Sequence, residues 1–400
     1  MDTKTQTRLA GSRLTRTPAA LALCALAALL QIAAPAGAGP REQAVRLHNR
    51  ITGVPPSAAN LTTMANMIAA NNAIGAAAIA TSQPSFYNVT LKNFVTPWTN
   101  RDQTVFAPLN DYTATVIGMV RDDVPFNTAL SADILYTVKG VSPAPSIAGN
   151  DHYAAADANG VDLFANLQKT TQSTVYGTPV DATAGLITTR GAESAFFVAG
   201  TNRAMFRFTL INHFCRDMEA VQDTSRPSDR IRQDVARSPG GDSRIFLNSC
   251  IGCHSGMDPM AQAFAYYNFD ATVGAQGSMV YTANKVQPKY FINSSNFKYG
   301  FVTPDDSWSN RWRQGPNANL GWDPALPGSG RGAKSLGQEL AQSDAFAECQ
   351  VQKVFTAVCF RAPGNAADRA AVAQIKNDFK TQGYKLKQVF AETAVHCMGN

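Results

Sequence analysis

Between residues 41 and 138, apolar side chains recur every three or four positions in REQAVRLHNRI, SAANLTTMANMIAANNAIGAAAIA, PSFYNVTLKNFV, LNDYTATVIGMVRD and FNTALSADILYTV, with turn residues between the segments. This is the spacing of one helix face, so an all-α N-terminal domain is predicted over residues 39–150. Asn71 to Ala80 is rich in alanine, and its small side chains suit close packing on a neighbouring helix. The stretch 140–160 is rich in Pro, Gly, Ala and Asp and reads as a linker, which places a soft boundary near residue 150. Asp157, Asn159 and Asp162 do not have the spacing of an EF-hand loop and read as Asx-turn residues.

Residues 202–220, NRAMFRFTLINHFCRDMEA, are apolar nearly all round and predict a buried helix, either an ordinary core helix or one lying beside a large apolar cofactor. Helical spacing disappears between 278 and 330, where Trp308, Trp312 and Trp322 stand among Gly, Pro and Asn. This long irregular loop either anchors itself to the core through its indoles or covers a cofactor edge. Helical spacing returns in LGQELAQ, DAFAECQVQKVFTAVC, AADRAAVAQIKNDFKTQ and LKQVFAETAVH. The predicted class is mainly α, with the N-terminal domain followed by a second helical unit over 151–400 that contains the long loop.

The chain has 400 residues, 45% of them hydrophobic and 16% charged, as expected for a globular protein large enough for two cores. Its N-terminus carries Lys4, Arg8, Arg13 and Arg16, an apolar run from Ala19 to Ala34, and then the small-residue pair Ala36 and Ala38. Residues 1–38 therefore read as a cleavable signal peptide, which sends the chain to the periplasm or the medium. The apolar run is shorter than the roughly 20 residues a spanning helix needs, so no membrane span is expected after cleavage. Leu23 before Cys24 argues against a lipoprotein site, and no twin arginine is present. Removing the signal takes away four basic residues and one acidic residue, and lowers the formal charge from +6 to +3. That charge gives no reason to expect a nucleic-acid partner.

Cys250-Ile-Gly-Cys253-His254 carries the candidate chemistry. At this chain's own Cys and His frequencies the pattern would arise by chance about 0.0015 times, so a chemical reason for it is expected. Zinc needs four donors, and no second cysteine pair completes the set. A redox dithiol would sit at a strand-to-helix junction, and no strand pattern precedes residue 250. Covalent haem c accounts for every position. Side chains three apart lie on one side of a helical turn, where Cys250 and Cys253 can form thioethers and His254 can bind the iron. One covalent haem c is the predicted cofactor, attached after export. Downstream, Asp258 and Pro259 read as the N-cap and first position of a new helix.

The stretch CIGCHSGMDPMAQAFAYYNFD resembles the haem-binding module of the planctomycete-type cytochrome c proteins, in which C-x-x-C-H is followed by Asp-Pro and later by an aromatic-Asp pair. Asp258, Pro259, Phe269 and Asp270 match that pattern, and the C-terminal helices are similar to the module that follows it. The resemblance covers roughly residues 185 to 400. It implies haem attachment and electron-transfer chemistry, with a cytochrome c-like helical haem domain over 151–400. The additional cysteines depart from the family's pattern.

Those cysteines are Cys215, Cys349, Cys359 and Cys397. Cys349 and Cys359 lie ten apart on one predicted helix, about 15 Å along its axis and beyond disulfide reach. If all four are bridged, these two pair with Cys215 and Cys397 in one of two ways, and proximity along the chain favours Cys359 with Cys397. Buried thiols are the alternative.

His254 on one iron face leaves the other face to a side chain, water or a substrate. Met257 and Met260 are too close in sequence to reach it, so Met279 is the formal distal candidate. His213, His152 and His396 are alternatives, each of which also reads as a structurally satisfied histidine, while His48 reads as a surface residue. A protein ligand there predicts a periplasmic monohaem electron carrier or electron-transfer subunit with redox donor and acceptor proteins as partners. An open face predicts a haem-dependent oxidoreductase of peroxidase or oxygenase type, and ligand exchange at iron would make a sensor. No nucleophile elbow, phosphate-binding loop or His-Glu-x-x-His motif supports a hydrolase or nucleotide enzyme.

Overall fold

The computed structural model describes residues 37–198 and 200–399. It is 56% helix and 7% strand, which agrees with the predicted mainly α class. The signal segment and Cys24 lie outside the described residues. None of the described helices is long and apolar enough to cross a membrane.

Helix α1 (Pro40–Thr52) opens with proline in its first turn and closes at Gly53, whose left-handed backbone (φ 73°) lets its N–H reach Asn49 O. Helix α2 (Ala58–Ala69) is capped by Ser57, whose side chain accepts from Asn60 N. The periodic segment 57–80 is broken in two where Asn71 turns left-handed (φ 60°) and the Asn72 side chain caps α3 (Ala73–Thr81). Ala76, Ala77 and Ala80 are fully buried, and α3 packs against α1, α2 and the last helix of the chain. His48, expected at the surface, is buried instead. Its Nδ1 lies 2.9 Å from Val54 O, which places the imidazole under the α1 C-terminal turn.

Helix α4 (Asp111–Arg121) is buried on nearly all sides. The helix expected over 126–138 is reduced to one turn at Phe126–Thr128, and the chain then enters strand β1 (Leu135–Val138). Leu-Tyr-Thr-Val is strand-forming by composition, and its antiparallel partner β2 (Leu167–Thr170) lies beyond the 140–160 stretch, with Leu135 opposite Thr170. The Pro- and Gly-rich stretch 140–160 contains a helix, Asp151–Ala158. Asp162 accepts from Phe164 N, as an Asx-turn residue does. A single hydrophobic cluster includes Ala44, Val120, Phe206 and Ala394, and so continues across residue 150.

Helix α5 (Arg203–Phe214) is buried as predicted and packs on α6 (Ile251–Ala261), which carries the cysteine motif. A hairpin of β3 (Tyr267–Asp270) and β4 (Ser278–Tyr281) follows. A second small pair, β5 (Ser307–Ser309) and β6 (Ser329–Arg331), brackets the irregular region. There Trp308 and Trp312 are buried, and Trp322 Nε1 donates to Trp312 O. The indoles thus anchor the loop to the core.

The chain ends in helices α7 (Gly332–Ala341), α8 (Asp344–Cys359), α9 (Ala366–Thr381) and α10 (Leu386–Cys397), each amphipathic as its sequence predicts. Two disulfides hold this unit. Cys215 at the end of α5 bonds Cys349 on α8, and Cys359 at the end of α8 bonds Cys397 on α10. This is the pairing that chain proximity favoured.

Candidate functional site

The segment that carries the motif starts at Asp242, whose carboxylate accepts from Arg244 N. It passes through a wide π turn at Phe246–Cys250 and continues as α6. Such widened turns are concentrated at functional sites. Here the widening ends at the first cysteine of the motif. The helix therefore begins well before Asp258, which is not an N-cap, and Pro259 lies in its interior. Its missing N–H leaves the Ser255 carbonyl without the usual helical donor. The Asp-Pro pair resembles a helix start locally, but the turn already built upstream overrides that signal.

Cys250 and Cys253 are free thiols, and both are partly exposed. Cys250 packs with Ile231, Val235 and Phe246, whereas Cys253 packs against the main core. Burial pushes the Cys253 thiol up, and the nearby Glu219 carboxylate adds to this. The segment 218–225 lies along the motif. Asp223 N donates to Gly252 O at 3.0 Å, Ser255 Oγ donates to Asp223 O at 3.0 Å, and a Cβ on Gly252 would stand 3.3 Å from Gln222 Cβ.

His254 is held from one side. Its Nδ1 lies 3.2 Å from Asp258 Oδ1, one helical turn further on, while Nε2 forms no hydrogen bond among the described residues. Arg203, at the start of α5, donates to both Asp258 carboxylate oxygens, from Nε at 2.7 Å and from Nη2 at 2.9 Å. Arg232 approaches the same carboxylate at 3.7 Å. Asp234 completes the group, accepting from Arg203 Nη2 at 3.0 Å. Burial alone would raise the Asp258 carboxyl, but the guanidinium groups of Arg203 and Arg232 hold it well below the usual carboxylate range. Asp258 is thus an ion in the interior, and the two Arg and two Asp side chains balance in charge. An ionised carboxylate only accepts, so Nδ1 of His254 is the donor in this contact.

The other predicted ligands are placed elsewhere. The Met279 thioether is buried in a small cluster with Leu135 and Tyr176, apart from the clusters that hold Cys250 and Cys253. His213 is buried, with Nε2 2.9 Å from Tyr112 Oη, and burial pulls its pKa well below the ordinary value. His152 Nε2 accepts from Val138 N at 3.0 Å, and its Nδ1 faces Pro143 O. His396 Nε2 faces Asp368 at 3.0 Å. Phe269 lies in β3 beneath the Arg190 guanidinium, and the Asp270 side chain accepts from Thr272 N in the following turn. Among the described residues, no group of three or more His, Cys, Asp or Glu side chains is arranged to hold a metal ion.

A cavity of about 500 Å³ is lined by Ile231, Arg237, Phe246, Phe297, Tyr299 and Phe301. Ile231 and Phe246 are also the side chains that pack on Cys250, so the cavity adjoins the motif. The Arg237 guanidinium carbon lies 4.8 Å from the centroid of the Phe246 ring and 4.4 Å from that of Phe297. Phe301 N donates to Ile231 O at 3.0 Å, which fixes the distant loop against the segment before the motif. The sequence signal for this wall is the aromatic spacing of YFINSSNFKYGF, residues 290–301, inside a region with no helical period.

No family model, curated protein or solved structure matches the chain.

Proposed function

We propose that the chain is an exported monohaem c-type cytochrome, with thioethers from Cys250 and Cys253 to one haem and His254 on the iron. The observation that carries this reading is the state of the cysteines. Among the described residues, four are consumed in disulfides, while the two in the motif stay free, one helical turn apart, beside an imidazole whose Nε2 is open. Free thiols in an oxidising compartment need a use, and thioether formation provides one.

The donor set fits the group. Haem c requires two thiols at this spacing and a neutral imidazole, and it needs an apolar wall, which Ile231, Phe246, Phe297 and Phe301 supply. When bound, the haem supplies one-electron chemistry at iron. The polypeptide anchors it at Cys250 and Cys253, orients His254 through Asp258 and keeps water from one side with the aromatic wall. Arg237 places a positive charge at that wall, suited to a carboxylate of the macrocycle. The two disulfides and the absence of a membrane-crossing helix among the described residues are compatible with export. The signal-like N-terminus and the resemblance to the planctomycete-type cytochrome c proteins point the same way.

Electron transfer with unidentified redox donor and acceptor proteins is the reading adopted. A haem-dependent oxidoreductase with an open distal face is the second. It is favoured by one observation: the cavity beside Cys250 is lined by neither Met nor His, and Met279, His152, His213 and His396 are all engaged elsewhere.

The test is the mass of the mature protein made in a host with cytochrome c maturation machinery. The expected value is the polypeptide plus one haem. A bare polypeptide mass overturns the proposal. Optical and resonance Raman spectra then separate six-coordinate low-spin iron, expected of a carrier, from the five-coordinate or water-ligated iron of the second reading.

A further inference from the structure

We infer that Asp258 is the positioning residue for the iron ligand: it fixes the His254 tautomer and, through its charge, lowers the reduction potential of the site. The inference rests on the haem reading above and extends it to a residue outside the C-x-x-C-H motif. Asp258 stands four positions after His254 on the same helix face, so the carboxylate meets Nδ1 without any rearrangement of the backbone. It is completely withdrawn from solvent, so its charge acts on the imidazole with little screening. A carboxylate accepting from Nδ1–H makes Nε2 the only nitrogen available to a metal and increases its basicity. A more basic ligand stabilises the oxidised iron and lowers the potential.

The same geometry sets the size of the effect. Arg203 grips both oxygens of Asp258 and also contacts Asp234, while Arg232 stands behind them. These guanidinium groups hold the carboxylate in place and draw part of its charge away from the imidazole. Removing the carboxylate should therefore raise the potential, and removing an arginine should lower it. A purely structural role predicts no such opposition, because loosening the site from either side would change its exposure in the same sense.

The experiment uses mature holoprotein whose mass shows one attached haem, and compares the wild type with Asp258→Asn and Arg203→Gln by spectroelectrochemical titration. In Asp258→Asn we expect the reduced form to gain about tenfold in the equilibrium, about 59 mV for a one-electron couple. In Arg203→Gln we expect a shift of opposite sign. An unchanged potential in Asp258→Asn, or shifts of the same sign in both variants, overturns the inference. Asp258→Asn leaves the buried Arg232 and the half-buried Arg203 short of a partner and could fail to fold, so a wild-type measurement stands beside it. Nitrogen-15 NMR of the holoprotein should find His254 Nδ1 protonated and protected from exchange, and a freely exchanging Nδ1 proton overturns the inference. Wild-type protein that never acquires haem overturns the haem reading itself, whereas loaded protein with an indifferent Asp258 overturns only this extension.

Discussion

Trp312 lies so close across Gly256 that a Cβ on the glycine would stand 2.0 Å from the indole Nε1. The glycine is two residues beyond His254, in the interior of α6, where its helix propensity alone would be unfavourable. Its role is to let the buried loop indole touch the helix backbone.

Gly256→Ala should therefore destabilise the protein by about 1–3 kcal/mol, the usual range for overpacking a core, despite alanine's better propensity. Urea unfolding followed by tryptophan fluorescence measures this. A stability gain would mean that the indole moves aside freely.

On the haem reading, Cys250→Ala and Cys253→Ala should each leave the haem held by a single thioether, and the double variant should retain none covalently. Mass spectrometry after acid-organic extraction, which removes unbonded haem, reads the outcome directly.

The disulfides should contribute unequally. On a chain-entropy basis, Cys359–Cys397, which spans a separation of 38, contributes about 4 kcal/mol, and Cys215–Cys349, which spans 134, about 5 kcal/mol. Ser substitution of each pair, followed by urea unfolding, should show the larger loss for the longer loop. Peptide mapping without reductant should recover both linked pairs.

Stability should fall in mild acid. His213 is buried with its pKa held well below 6.5 by desolvation and by the Lys353 charge, and burial also lowers His48. The unfolded chain binds these protons more readily than the folded one, so the stabilisation is full above pH 6.5 and is lost as pH drops below it. The slope should approach about 1.4 kcal/mol per pH unit for a fully buried imidazole. Urea midpoints between pH 7.5 and 5.5 test this, and His213→Gln should flatten the dependence whatever it does to stability at pH 7.5.

The legible parts of the molecule are those fixed by neighbours in sequence. Helices α8 to α10 follow from their apolar spacing, and the motif follows from the three- and four-residue offsets of Cys250, Cys253 and His254. Strand β1 escaped notice because Leu135 finds its partner only at Thr170, across the segment that reads as a linker. The ion-pair group around Asp258 is hidden for the same reason. Its neighbour Pro259 suggests a cap, whereas the residues that give it meaning, Arg203 and Arg232, come from other segments. The aromatic cavity wall likewise depends on bringing residues 297–301 against Ile231. Burial of His48 under its own helix end could not be read from a spacing that leaves the position neutral.

Among the described residues, the division of six cysteines into four bridged and two free makes maturation a sorting problem. On the haem reading, the chain meets its oxidant before or while it meets its porphyrin, and Cys250 and Cys253 are close enough in sequence to be capped by each other first. On the haem reading, a reductant acting selectively on that turn has to keep the two sulfurs available while Cys215, Cys349, Cys359 and Cys397 are being closed. Yield of coloured protein would then be governed by the order of these events more than by the stability of the finished fold.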